Sequence, residues 1–483
     1  MTQLRIQVRP AADFSFEQGL RDIEKEFALP QAFSAEVESA AARAASSPRL
    51  AELDRTDLAL VTIDPPGAMD LDQAMLLERA GAGYRVYYAI ADVAAFVSPG
   101  DPVDLEANRR GETLYGATAR IPLHPTVLSE AATSLLPGQM RPALLWTIDL
   151  DAQAAIVDVD VRRARVMSRA RFDYASVQRD LDAGKADPMW SLLREIGQLR
   201  QQAEIDRGGV SLALPAQEIG KQGDHWQLTY RGMDPLETWN AQISLLTGMA
   251  AAQLMIKGRV GVLRTLPPPP VAAIARLRLT ARALDIPWPQ GQGYPDFIRS
   301  LDPIKPRHVA MMTACTTVLR GAGYAAFNGA LPEQPMHSAL AAPYAHVTAP
   351  LRRLVDRYAG EVCLALCAGR PVPDWTLAAL PGLPQTMRDS DRRANGYQRA
   401  IIDLTEALIL ASRVGEVFDG SIIAIAGNDA GTGTVMLREP AIEARVTSAG
   451  ALVLGADVKV KLMEADPARR ATTFALPGGG LVA

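Results

Sequence analysis

The chain has 483 residues, 48% hydrophobic and 22% charged, which gives room for two or three full cores and excludes a disordered or fibrous polymer. Its net charge of −4 excludes a global positive field, so any nucleic-acid contact must use local basic patches. Three cysteines, Cys315, Cys363 and Cys367, form no CxxC and no even set, which argues against a disulfide framework and fits a reducing cytoplasm.

The opening MTQLRIQVRP lacks the apolar core of a signal peptide. SFEQGLRDIEKEF then places Leu20, Ile23 and Phe27 at helical spacing behind a serine cap, and SAEVESAAARAA predicts a second helix after a proline break. DLALVTI (57–63) is strand-like, and YRVYYAIADVAAFV (84–97) continues in β-branched and aromatic alternation. Residues 141–172 read as further strands of the same sheet. Within them VRRARVMSRAR (161–171) packs five arginines, either a channel wall that tracks a nucleic-acid backbone or a solvated face.

Helices dominate from 173 to 260, with one short strand pair near EIGKQGDHWQLTY, and resume after LPPPP (266–270) to about 414. ISLLTGMAAAQLMI (243–256) falls short of the roughly 18–20 apolar residues of a membrane span and predicts a buried helix, so no membrane contact is expected. After 414, short β-rich runs separated by Gly, Asn and Asp predict a five-stranded barrel of the OB type, poor in aromatics apart from Phe418 and Phe474. The five histidines are scattered and suggest no zinc site.

VTIDPPGAMDLDQAM (61–75) raises a problem of charge. Asp64, Asp70 and Asp72 crowd together among apolar residues, with no lysine or arginine between them. Like charges at close range repel, and burial makes that worse. Asp70 and Asp72, two apart, share one side of an extended segment, and the Pro65-Pro66-Gly67 turn lets Asp64 fold back to them. Such an all-oxygen pocket suits a hard divalent cation, magnesium above all, and two-metal phosphodiester hydrolysis uses this kind of nest. An acidic surface turn, or the DxD of a metal-dependent nucleotidyl or glycosyl transferase, fits the same residues.

YAHVTAPLRRLVDRY (344–358) places Arg352 and Arg353 in the first turn of a predicted helix, where the helix dipole disfavours cations. A guanidinium there either grips phosphate oxygens bidentately or pairs with Asp356.

TIDPPGAMDLDQA, IADVAAFV, IPLHPTVLSEAATSLLPGQMRPAL and HSALAAPYAHVTAPLRRLVD occur in the order and spacing of the ribonuclease II and ribonuclease R (RNB) family, and the resemblance runs from about 57 to 405. It implies an α+β fold with an RNB catalytic domain of mixed sheet surrounded by helices (57–405) and an S1-type OB barrel (406–483). The helices read ahead of it make 1–56 a small helical N-terminal domain, either a cap on the catalytic sheet or a helix-turn-helix-like RNA contact. The implied activity is hydrolytic 3′→5′ degradation of single-stranded RNA with a free 3′ end, releasing 5′-mononucleotides. The implied cofactor is Mg2+, one or two ions, with Mn2+ as a substitute. A cytoplasmic monomer without an obligate protein partner is expected. By the same resemblance Asp64, Asp70 and Asp72 hold the metal, and Arg352 lies near the scissile phosphate. Tyr115 and Tyr174 grip the terminal bases, and Thr348, Arg353 and Gln73 contact RNA.

The sequence departs from the family at several points. Gln73 stands where a fourth acidic residue is usual, Ala349 and Leu354 replace a hydroxyl and an aromatic, and Gln242 stands near a usual glutamate. Gln73 makes a catalytically impaired RNA-binding protein the alternative reading. Larger relatives carry two cold-shock barrels, each about 60–70 residues, before the catalytic region. With Asp64 already the first catalytic aspartate, the expectation is an RNA entrance with one wall absent or rebuilt, and an enzyme that approaches structured RNA closely.

Overall fold

The computed structural model describes residues 15–477 apart from 31, 118, 119, 213, 215, 223, 224 and 428. The first fourteen residues of the expected N-terminal domain therefore lie outside the described residues. Helix α1 (Phe16–Glu26) starts at Ser15, whose hydroxyl accepts from the Gln18 N–H. Its Phe16, Leu20 and Ile23 recur at helical spacing and are all buried. Helix α2 (Ala35–Ser46) starts at Ser34 in the same way, accepting from Val37. Both helices of the sequence reading are present.

Strands β1 (Leu60–Ile63), β2 (Gln73–Ala80) and β3 (Gly83–Ala91) follow, then helix α3 (Pro102–Arg110). A two-rung hairpin, β4 (Leu114–Tyr115) with β5 (Arg120–Ile121), precedes the long strands β6 (Met140–Leu150) and β7 (Ile156–Phe172). The order β1-β2-β3-β6-β7 closes into a barrel. Its pairs are antiparallel except the closing seam, where β1 runs parallel to β7. The expected mixed sheet is thus closed on itself, around Met75, Leu77, Tyr88, Ile90, Trp146 and Ile148. Strand β2 was not legible in the sequence. QAMLLERA has no β-branched or aromatic residue, so propensity is silent, and pairing with β3 decides its conformation.

Helices α4 (Tyr174–Asp182) and α5 (Pro188–Asp206), the expected strand pair β8 (Ala216–Gln222) and β9 (His225–Arg231), and helix α6 (Pro235–Gly258) come next. Helix α6 is buried over most of its length, as expected of an apolar segment. Among the described residues no helix is long and apolar enough to cross a membrane. Strand β10 (Val260–Thr265) pairs with β11 (Gly323–Asn328), and the insertion between them holds α7 (Val271–Ala283), α8 (Tyr294–Arg299) and α9 (Pro306–Cys315). The short pair β12 (Met336–His337) and β13 (Ala342–Pro343) leads to helices α10 (Leu354–Cys367), α11 (Asp374–Ala379) and α12 (Leu383–Leu410). Helix α1 packs on α12 through Phe16, Leu20 and Ile23 against Tyr397, Ile401 and Leu404.

Strands β14 (Val417–Ala426), β15 (Asp429–Leu437), β16 (Ile442–Thr447), β17 (Asp457–Asp466) and β18 (Ala471–Ala475) form a second closed barrel, β14-β15-β16-β18-β17. This is the five-stranded barrel expected from the Gly-punctuated β runs. Phe418 and Phe474 both point inward and meet edge to face with ring centroids 5.7 Å apart. The expected boundary at 405/406 falls inside α12, which continues to Leu410 before a short turn leads into β14.

Candidate active site

The aspartate segment is the loop from β1 to β2. The parallel seam fixes its start, where the Asp64 N–H donates to the Phe172 carbonyl at 3.2 Å. Pro65 to Ala68 form the turn, with Gly67 at φ +83°, a conformation that favours glycine. Ser134 then clamps the loop. Its hydroxyl accepts from the Leu71 N–H at 3.0 Å and donates to the Met69 carbonyl at 2.6 Å. Leu71 is fully buried between the two flanking aspartates. Asp70 is partly exposed while Leu71 and Asp72 are both buried, so burial does not alternate along the DxD.

The arginine segment arrives from the other side. The sequence placed Arg352 and Arg353 in the first turn of α10. In the structure the helix begins at Leu354, and Arg353 has an extended backbone at φ −145° and ψ 119°. Arg353 is therefore the N-cap rather than a first-turn residue, and the first turn carries Asp356, which the dipole favours and which offsets the arginine charge beside it. Thr113 donates to the Arg352 carbonyl at 2.9 Å and Leu354 to the Gly111 carbonyl at 3.0 Å, so the segment pairs with the strip that leads into Tyr115. Gly111 has φ +78°, and a Cβ there would lie 2.6 Å from the Ser390 Cβ on α12.

The two adjacent arginines then part. Arg353 turns inward and binds Asp356 with both Nε (2.6 Å) and Nη2 (2.9 Å). Asp356 also accepts from the Ala349 N–H at 2.8 Å, so this pair builds the loop. Arg352 turns outward, half-exposed, with Nε 3.6 Å from Asp72 Oδ2. Tyr115, also half-exposed, lies beside its guanidinium. Of the residues expected to contact RNA, Arg353 is therefore spent on the protein, while Arg352 and Tyr115 face the aspartates.

Three bonds join the loops. Leu351 donates its N–H to Asp72 Oδ1 at 2.8 Å. Gln73 Nε2 donates to the Thr348 carbonyl at 2.6 Å, and Gln73 Oε1 accepts from the Tyr88 hydroxyl at 2.6 Å. Tyr88 also meets the Ser244 hydroxyl of α6 at 2.8 Å. Both polar atoms of Gln73 are thus engaged within the protein, and Thr348 is buried beneath them. Gln242, the other departure, donates to Glu204 at 2.9 Å in the core.

Burial dominates the electrostatics. It pushes the Asp64 carboxyl up to about 7 and that of Asp72 up to about 8, against the opposing pull of Arg352. Asp70 has its own cation: Arg120 Nη1 lies 2.5 Å from Asp70 Oδ1, and Arg120 Nη2 lies 2.8 Å from Glu130. Neither Arg120 nor Glu130 was singled out in the sequence. Arg120 reaches the site because the β4–β5 hairpin sets it opposite Tyr115. The donor set, three carboxylates of which two are costly to ionise alone, suits a hard cation in its chemistry. It is not drawn together. Among the described residues no three His, Cys, Asp or Glu side chains gather at ligating range, since Asp70 is held by Arg120 and Asp72 by Leu351.

Tyr174 opens α4 directly after β7, and its hydroxyl accepts from Asn240 at 3.0 Å. Burial raises its phenol to about 12, and the nearby Asp64 charge adds to this. The seam that sets Asp64 also sets Tyr174, two residues beyond Phe172. Three of the five arginines of β7 have carboxylate partners, while Arg162, Arg169 and Arg171 are exposed and Arg171 is close enough to Asp64 to act on its charge. Arg163 is bound to Asp92 and Glu361, Arg165 to Asp54 and Arg162 to Asp160. Arg169 donates to the Thr56 carbonyl and Arg171 to that of Ala68, so these two hold the loops at either end of β1.

Two family comparisons match this chain: the RNB domain over residues 53–365 and the RNase II-type exonuclease C-terminal S1 domain over 416–476. Ribonuclease R of Escherichia coli is 27% identical over 435 residues, covering 84% of this chain and 53% of that protein. The exosome complex exonuclease dis3 of Schizosaccharomyces pombe is 28% identical over 319 residues, covering 63% and 33%. The chain thus spans about half the length of the ribonuclease R it matches. Mycoplasma genitalium RNase R in complex with ribose-methylated single-stranded RNA shares the fold, with a TM-score of 0.86 at 20% identity over 96% of this chain and 78% of that one. Yeast Ssd1, a pseudonuclease, shares it at a TM-score of 0.68 and 15% identity, over 93% of this chain and 58% of that one. The motifs, the two barrels and the family matches agree: this chain belongs to the RNB family and carries an RNase II-type S1 domain.

Proposed function

We propose that this protein is an exoribonuclease that hydrolyses single-stranded RNA from its 3′ end and releases 5′-nucleoside monophosphates, with Mg2+ as cofactor. One observation carries the reading: Arg352 stands 3.6 Å from Asp72 on a loop bonded to the aspartate segment. Asp64, Asp70 and Asp72 would hold the cation, which supplies Lewis-acid activation of water and phosphate, and Mn2+ has the same ligand preference. In the hydrolysis a water oxygen bonds to phosphorus and the P–O3′ bond breaks. The proton goes to the departing 3′ oxygen, and the phosphate leaves on the 5′ carbon of the released nucleotide. Arg352 donates to the phosphate oxygens as charge grows on them. Tyr115 and Tyr174 stack on the terminal bases, which tolerates any sequence. The protein acts as a cytoplasmic monomer in this reading. The transferase alternative drops out with RNB membership.

A second reading, RNA binding without cleavage, is favoured by one observation: Gln73 spends its amide on Thr348 and Tyr88 where a fourth carboxylate is usual. One experiment separates the two. End-labelled single-stranded RNA with Mg2+ should give stepwise release of mononucleotides. A stable complex without shortening supports the second reading.

A further inference from the structure

Asp70, Arg120 and Glu130 form a chain of three charges at the edge of the site. Arg120 Nη1 is 2.5 Å from Asp70 Oδ1, and its Nη2 is 2.8 Å from Glu130 Oε1. All three side chains are at least two-thirds shielded from solvent, so the contacts are stronger than surface ion pairs. Asp70 differs here from its neighbours. Asp72 meets Arg352 only at 3.6 Å and is anchored by a backbone amide. Among the described residues Asp70 is the one of the three that is hydrogen-bonded to an arginine side chain, at 2.5 Å against the 3.6 Å ion pair of Asp72.

A cation ligated by all three aspartates must take Asp70 from Arg120 or share it. The main chain around Asp70 is fixed by the Ser134 clamp on Met69 and Leu71, so the side chain alone is free to change partners. Arg120 does not need Asp70, because Glu130 already holds its other nitrogen and is outside the aspartate loop.

Resting on the exoribonuclease reading, we infer that Arg120 is a positioning residue that competes with the metal for Asp70 and is taken over by Glu130 when the metal binds. Arg120 therefore sets the cation affinity. Removing it frees Asp70 and tightens binding. Removing the Glu130 charge leaves Arg120 with Asp70 as its one carboxylate and weakens binding. Opposite signs from two mutations on one salt-bridge chain are the signature.

The test uses the full chain without RNA, titrated with Mn2+ and followed by the electron paramagnetic resonance of the free ion. Arg120→Gln should bind Mn2+ about three- to tenfold more tightly than wild type, and Glu130→Gln more weakly by a similar factor. Melting temperature gives a second readout. Arg120→Gln should melt lower than wild type in chelator, yet gain more on adding Mn2+. If Arg120→Gln does not fold, Glu130→Gln with tighter or unchanged Mn2+ binding overturns the inference by itself. Weaker or unchanged binding by folded Arg120→Gln also overturns it, since Arg120 would then orient Asp70 or be irrelevant to it. RNA cleavage by wild type, run in parallel, separates the two levels: a wild type that cleaves while Arg120→Gln binds no tighter leaves the exoribonuclease reading standing. A wild type that neither binds Mn2+ nor cleaves sinks both.

Discussion

Leu351 and Asp72, 279 positions apart in the chain, share a 2.8 Å hydrogen bond from backbone N–H to carboxylate. Through it the charge that would bind a metal also fixes the loop that carries Arg352. Asp72→Asn keeps an oxygen acceptor for Leu351 and removes the charge. Hydrolysis should fall on the order of 10²-fold or more, while RNA affinity, built from many phosphate and stacking contacts, changes little. Asp72→Ala should in addition lose about 1–3 kcal/mol of stability, because Leu351 is left without an acceptor. Gel assays of RNA shortening and binding, with urea melts, check both; wild-type cleavage by Asp72→Asn removes the metal assignment.

Arg352 and Arg353 should separate cleanly in mutants. Arg353→Met strands the buried Asp356 and should cost about 3–5 kcal/mol. Arg352→Met, at a half-exposed side chain, should stay within about 1 kcal/mol of wild type. Denaturant midpoints decide, and equal losses at the two positions would contradict the inward and outward division.

The same division predicts kinetics. Arg352→Lys should lower kcat on the order of 10²-fold with KM nearly constant, since an ammonium lacks the planar fork that matches phosphate oxygens. Near-normal turnover would reduce Arg352 to a point charge.

Gln73→Asp returns the acidic residue usual in the family, yet should lower activity. Gln73 donates to the Thr348 carbonyl, and a carboxylate cannot. The change leaves that carbonyl unpaired and faces it with negative charge, about 1–3 kcal/mol of lost stability. Faster cleavage by Gln73→Asp would mean that the position serves the metal.

Glu406 supplies a pH test away from the site. Its carboxylate accepts from Gln217 at 2.8 Å and from the Glu443 N–H at 3.1 Å, and burial pushes its pKa up to about 7. The unfolded chain releases this proton near the ordinary glutamate value while the folded protein retains it. Stability therefore falls as pH rises through that interval, and the penalty is complete above about 7. Glu406→Gln should remove it, gaining on the order of 1–3 kcal/mol at pH 8 and little at pH 4. Melting curves of both proteins across that range read the difference; a constant offset would rule it out.

How much of this was legible in the sequence follows from the range of the forces involved. The aspartate loop was readable because proline, glycine and a two-residue spacing act locally. The C-terminal barrel was readable from turn residues at regular intervals. Residue chemistry alone did not separate Arg352 from Arg353, since identical neighbours differ only in which way an extended backbone sends them. The family resemblance put Arg352 at the phosphate, and it gave Arg353 to RNA although Asp356 was visible as its partner. Arg120 and Glu130 escaped because Asp70 meets Arg120 across fifty positions and only through the closed barrel and its hairpin. The arginines of β7 stayed open between two readings because a run of charge does not say which members the fold will pair: Arg163 and Arg165 meet distant carboxylates, while Arg169 and Arg171 remain exposed.

Helix α12 touches three places at once. Near its start Ser390 packs on Gly111 and Asp391 holds Arg264 at 3.0 Å. Its middle lies under α1, and its last residues, Ile409 and Leu410, enter the core of the C-terminal barrel. It is one continuous helix of 28 residues, and a short turn through Ala411–Arg413 and Gly415, at φ +93°, leads from it into the barrel. Because Ile409 and Leu410 sit inside the barrel core, a shift of the barrel would drag the end of this helix with it. The far end of the same helix packs on Gly111, whose neighbour Thr113 bonds to Arg352, so a disturbance of the barrel has a route along one helix to the loop beside the aspartates.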